Sequence, residues 1–170
     1  MIFDTSPLIF LAKSNWLGRV LQVERAYTTI FTVDEIKEPL RLGISLEVVR
    51  AKDIERVLKA VEEGEIVVRE VDEEEVKALA ERWRRGRGEV ATHLLQKTCE
   101  ECGVIVLANE RAEAKLREEG ANVIDLVDLG YVLVDRGAIK VEETIDFLLA
   151  IQRAGYRTRR VSRLISRLRP

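Results

Sequence analysis

Histidine occurs once and cysteine twice in this sequence of 170 residues, and aromatic residues make up only 5%. A lone histidine excludes a paired His-His zinc site, and nothing resembles a nucleophile elbow. The stretch "GRGE" lacks the Lys-Ser/Thr that a phosphate-binding P-loop requires. Cys99 and Cys102 form "CEEC" near the expected end of a helix. One C-x-x-C pair with no second pair and no neighbouring histidine is a weak zinc signal, and the two read first as small core residues. Any redox role rests on this pair alone. Few aromatics limit base-specific stacking. No apolar run approaches the roughly 20 residues needed to cross a bilayer, and Asp4 comes too early for a basic-then-apolar signal peptide. The expectation is a soluble, cytoplasmic protein without membrane association.

Apolar residues make up 46% of the chain, enough for a globular core, and the length suits one domain. Charged residues reach 34% while Asn and Gln are scarce, the ion-pair-rich style of thermophile proteins. The net charge of −2 hides an asymmetry. Residues Glu62–Glu75, "EEGEIVVREVDEEE", carry eight acids and one arginine, whereas Ile151–Pro170 carry seven arginines and no acid. An Arg-rich end suits a phosphate-bearing or acidic partner; a solvated helix face explains it equally well.

Short apolar runs alternate with helical periods. "MIF", "YTTIF", "EIVVREV", "GVIVLA" and "NVIDL" predict strands. Helices are expected over Pro7–Leu21, Val33–Leu42, Leu46–Glu63, Glu73–Arg84, Gly88–Cys102 and Arg111–Glu119. Three more follow over Leu126–Arg136, Val141–Arg153 and Thr158–Leu168. Gly43, Gly64, Gly103, Gly120 and Gly137 mark helix stops. Strands separated by helices imply a three-layer α/β/α fold around a mostly parallel sheet, with residues 126–170 a helical C-terminal extension. In such sheets ligands bind beyond the carboxyl ends of strands.

Four acids meet that criterion. Asp4 and Glu110 directly follow strands, Glu89 starts a helix after a Gly-rich turn, and Glu38 lies about a helical turn beyond "YTTIF". Each also has a plain explanation. Asp4 or Thr5 can cap a helix, Glu89 and Glu110 suit first turns, and Glu35 competes with Glu38 one turn away on the same face. If the acids meet, their mutual repulsion calls for a hard divalent cation, and oxygen-only ligands suit Mg²⁺ or Mn²⁺. Arg82, Arg84, Arg85 and Arg87 precede the Glu89 helix as candidate phosphate grips, with Trp83 among them for stacking or for packing. They can equally pair with the acidic 62–75 segment. His93 shares a helix face with Glu89, where assisting and structural roles are both open.

Taken in order, "DTSPLI", an acid after the second strand, "GRGEVATHLL" and "VIVLANERAEAKLREEGANVI" resemble the PIN-domain ribonucleases, in particular a subgroup related to VapC-type toxins. The later helices look similar too, so the resemblance spans nearly the whole chain. It implies a PIN-like fold with Asp4, Glu89 and Glu110 as metal-binding acids and Glu38 as the second-motif acid. Ser6 would lie beside the metal and Asn109 at a neighbouring polar position. The implied activity is Mg²⁺- or Mn²⁺-dependent hydrolysis of RNA phosphodiesters by the toxin of a toxin–antitoxin pair, in a homodimer held in check by an antitoxin protein. The alternative is a catalytically weak or inactive module that binds RNA or protein, motivated by Glu110 standing where many members carry Asp.

Overall fold

The computed structural model describes residues 1–42 and 51–168. The expected helix stop at Gly43 and the expected start of a helix at Leu46 lie outside the described residues. Five strands, β1 (Ile2–Phe3), β2 (Ala26–Thr29), β3 (Ile66–Arg69), β4 (Ile105–Val106) and β5 (Val123–Ile124), form one sheet in the order β3-β2-β1-β4-β5. Every pairing is parallel, with Ile2 opposite Tyr27 on one side and Ile105 on the other. Parallel neighbours need crossover connections, and helices supply them: α1 (Thr5–Lys13), α2 (Leu17–Val23), α3 (Ile30–Arg41), α4 (Ala51–Glu62), α5 (Glu73–Trp83), α6 (Arg87–Thr98) and α7 (Glu110–Glu118). Three more, α8 (Leu126–Asp135), α9 (Glu143–Arg153) and α10 (Arg159–Leu168), complete the chain. The fold is a three-layer α/β/α architecture.

The strands alternate between two buried clusters, as their period of two requires. Phe3, Ala26 and Val106 face a core built by Leu8, Leu11, Ile54, Val57, Leu129, Phe147 and Ile151. Their neighbours Ile2, Tyr27, Ile105 and Leu107 face Leu95, Ala112 and Leu116 on the opposite side. Helices α8–α10 thus share one core with α1 and α4. Arg160 fixes α10 to the start of α8 through ion pairs with Asp125 and Asp128, and this pairing holds the Asp128 carboxyl below its usual range.

The single helix expected over Pro7–Leu21 is two. Asn15 adopts a left-handed conformation (φ 63°), and the Trp16 N–H reaches back to the Leu11 carbonyl, closing α1 and turning the chain into α2. Asparagine tolerates this conformation better than other non-glycine residues. Helix α6 ends at Thr98, earlier than expected, and a single 3₁₀ turn over Glu100–Cys102 follows. Cys99 and Cys102 are joined by a disulfide with Cα atoms 5.4 Å apart, and Cys102 is wholly buried against β4. The bond closes a very short loop. Its reduction by dithiothreitol is therefore expected to cost only about 2 kcal/mol, a fall in Tm of roughly 4–8 °C by calorimetry.

Candidate functional site

The strand order reverses at β1: the chain steps outward to β2 and β3, then crosses to β4 and β5. The crevice beyond the carboxyl ends of β1 and β4 is therefore the switch point at which α/β sheets bind ligands. Asp4 follows β1 there and Asn109 lies beyond β4.

Asp4 occupies the N-cap position of α1 but its side chain makes no cap hydrogen bond. Elsewhere the chain caps helices in the ordinary way: Thr29, Asp72, Asn109 and Asp125 each accept a backbone N–H from the following turn. Asp4 as a residue is instead 7% exposed, and its Oδ1 is buried without a hydrogen-bond partner. Burial pushes its pKa up to about 7, with repulsion from Glu35 and Glu89 adding to the rise and the Thr5 backbone amide opposing it. Capping does not account for this residue.

Glu35, not Glu38, is the acid that α3 brings to Asp4. The Thr5 hydroxyl donates to Glu35 Oε2 at 2.6 Å, and the Gly88 N–H donates to Oε1 at 3.2 Å. Gly88 leaves room for this approach, since a Cβ on it would lie 2.7 Å from Glu35 Oε2. This explains the second glycine of "GRGE". Glu38 is exposed one turn further along, in a cleft that it shares with Glu35, Asp34, Arg41, Glu73 and Arg87. Sequence spacing leaves the two acids as rivals; the bonds to Thr5 and Gly88, both long-range, separate them. Pro39 sits inside α3 without ending it.

Glu89, in the first turn of α6, completes the group. Its Oε1 accepts from Asn109 Nδ2 at 3.4 Å, while Oε2 is buried and unpartnered. Burial raises its pKa and Glu35 adds to the rise, against the attraction of Arg85. Asn109 meanwhile caps α7 through its Oδ1, so one side chain fixes both the helix and the acid.

Glu110 stands apart from this group. It is exposed at the first position of α7 and faces a neighbouring cleft with Ser6, Phe10 and Tyr156. Its charge is among those that raise the pKa of Tyr156. Of the expected trio, Asp4 and Glu89 act on each other electrostatically together with Glu35, and Glu110 lines the adjoining cleft beside Asn109. Among the described residues no group of three or more histidine, cysteine, aspartate or glutamate side chains is arranged to hold a metal ion.

Of the four candidate arginines, Arg85 opposes the rise in the Glu89 pKa, and it also donates to the Arg111 carbonyl. Arg84 is the left-handed residue (φ 52°) ending α5. Arg82 is exposed on α5, and Arg87 lines the cleft shared by Glu35 and Glu38. No ion pair joins these arginines to the 62–75 segment among the described residues. Trp83 packs against His93 with ring centroids 5.1 Å apart and carries Lys115 over its face. His93 is buried with both ring nitrogens unpartnered; burial lowers its pKa, and its charged neighbours are Lys97 and Glu119, not the acids of the site.

No helix among the described residues is long and apolar enough to cross a membrane. Comparison with family models, with curated proteins and with solved structures gives no match.

Proposed function

We propose that this chain is a metal-dependent endoribonuclease of the PIN class, hydrolysing RNA phosphodiesters to a 5′-phosphate and a 3′-hydroxyl. The observation that carries this reading is the buried, uncapped Asp4 carboxylate beside Glu35 and Glu89, with one oxygen each of Asp4 and Glu89 left without a partner. Two orphaned carboxylate oxygens in a set of purely oxygen donors fit a hard divalent cation. Asp4 and Glu89 would hold Mg²⁺ or Mn²⁺. Such an ion supplies Lewis-acid polarisation of the phosphate and a more acidic water.

The chain's own residues divide the remaining work. Glu35, held by the Thr5 hydroxyl and the Gly88 amide, orients and deprotonates the attacking water. Asn109 holds Glu89 in register. Arg85 offsets the negative charge that would otherwise repel a phosphodiester. Glu110 and Ser6, on the adjoining cleft, meet the substrate as it enters.

The experiment is cleavage of single-stranded RNA in Mn²⁺, Mg²⁺ or EDTA. Cutting is expected only with a divalent ion. Glu35→Gln should slow it about a hundredfold, and Glu38→Gln should leave it within about twofold, as expected of an exposed side chain. Cutting that persists in EDTA, or that depends on Glu38 and not on Glu35, overturns the assignment. The resemblance extends the proposal to a toxin of a type II toxin–antitoxin pair, acting as a homodimer and restrained by an antitoxin. A short, acidic or DNA-binding protein encoded beside this gene, and a dimer by light scattering, are the expected findings.

A second reading has an observation in its favour: among the described residues no group of three or more histidine, cysteine, aspartate or glutamate side chains is arranged to hold a metal ion. On that reading the chain binds RNA or protein without cutting. The two separate on metal binding. A nuclease gains Tm with Mn²⁺, by about 2.7 kcal/mol of added stability at one hundred times Kd, whereas a pure binding module gains none.

A further inference from the structure

The cleft lined by Glu110 holds about 760 Å³ and lies between α1, the start of α7 and the α9–α10 turn. It joins a second cleft of about 510 Å³ between α8 and α10, since Glu110 and Arg159 line both. The result is a continuous groove that begins at Asn109, the residue hydrogen-bonded to Glu89, and runs out along the C-terminal helices.

Its walls are fixed. Gly155, at φ 113°, brings the α9–α10 turn against Phe10, and Phe10 packs on Tyr156 with centroids 5.7 Å apart. Arg160 is committed to Asp125 and Asp128 and holds α10 in place. Its neighbours are differently used. Arg111, Arg157 and Arg159 are exposed in the groove and have no carboxylate within ion-pair distance among the described residues. What sets these three apart is their convergence on one groove beside an anionic centre, a lining that suits an anionic occupant. At the far end Tyr131, on α8, is 44% exposed in the second cleft. A cationic groove with an exposed aromatic ring is the arrangement that tracks a single strand: phosphates follow the charges and one base stacks on the ring. An acidic protein segment would use the arginines but leave Tyr131 unexplained.

We infer that this groove guides single-stranded RNA away from the acid centre, with Arg111, Arg157 and Arg159 on its phosphates and Tyr131 stacked on a base. The inference rests on the nuclease reading for its direction but is tested by binding alone. Fluorescein-labelled single-stranded RNA is titrated with the full chain in EDTA, where nothing is cut, and anisotropy is followed over a range of salt. The double variant Arg157→Ala/Arg159→Ala should bind at least about tenfold more weakly and lower the slope of log K against log salt by about 1.4, or about 0.7 for each phosphate no longer neutralised. Tyr131→Ala should weaken binding about tenfold without changing the slope, and Tyr131→Phe should restore it, because the ring and not the hydroxyl stacks. Variants that bind RNA as the wild type does overturn the inference. So does a wild type that binds a poly-glutamate peptide but not RNA. A wild type that binds through these residues yet never cuts RNA in Mn²⁺ sinks the nuclease reading and leaves the groove standing.

Discussion

Asp4→Asn is expected to abolish RNA cleavage, by about a thousandfold or more, while making the metal-free protein more stable at pH 8. The two effects have one cause. The Asp4 carboxylate is buried beside two other acids, and its pKa is pushed up to about 7 from an ordinary value of 3.8. The native state therefore binds more protons than the unfolded chain between those pH values, so stability falls as pH rises through the window. Above pH 7 the ionised group costs on the order of 2–4 kcal/mol. An uncharged amide removes most of this, partly offset by its own unmet hydrogen bonds. The net gain is about 1–3 kcal/mol, a rise in Tm of roughly 3–10 °C. Differential scanning calorimetry in EDTA at pH 8 and at pH 4 checks it: the difference should shrink towards zero at the lower pH, where the wild-type group is largely neutral in the native state and half neutral in the unfolded chain. Equal Tm values at pH 8 would show that Asp4 is not held as a strained anion. Mn²⁺ should stabilise the wild type and not the variant, because only the former gains a ligand for its charge.

Gly88→Ala is the second large effect. The new methyl would stand 2.7 and 2.8 Å from the two Glu35 carboxylate oxygens, inside any tolerable approach. Glu35 sits at the end of a flexible side chain and can move, so the cost to folding is moderate, about 1–2 kcal/mol. The cost to function is larger. Displacing Glu35 breaks its bonds to the Thr5 hydroxyl and the Gly88 amide, and cleavage should fall about a hundredfold. Gly18→Ala is the control: it lies in α2 with nothing within 4 Å of the added carbon, and should stabilise by up to about 1 kcal/mol without touching activity. Single-turnover cleavage rates and urea unfolding of the three proteins give the comparison. An active Gly88→Ala protein would remove Glu35 from the mechanism.

Asp4 shows how far local pattern reaches. A carboxylate just after "MIF" marks a strand end and a helix start together, and both are where the residues say they are. All five strands are legible as short apolar runs, although Ile30 and Phe31 of "YTTIF" already belong to α3, and the alternation of Ile2 with Phe3 between two cores follows from strand geometry. The break at Asn15 is less so: "SNW" carries a helix-ending residue, yet the apolar period continues across it. The disulfide is open to the sequence only as the one pairing that two cysteines allow.

The choice between Glu35 and Glu38 is not legible. Both lie on the same face of α3, and what separates them is a hydroxyl thirty residues before Glu35 and an amide fifty-three residues after it. The cleft that Glu110 lines is illegible for the same reason: its place after a strand is a local fact, but the cleft is formed by the α9–α10 turn packing beside α1. Periodicity and chain reversal, both written into neighbouring residues, suffice to place the strands, the layers and the sheet edge at which Asp4, Glu89 and Asn109 stand. Which acids share burial and repulsion, and which arginines are left without a carboxylate, follows from the packed arrangement alone. Desolvation and Coulomb energy depend on distances of a few ångströms between segments far apart in the chain.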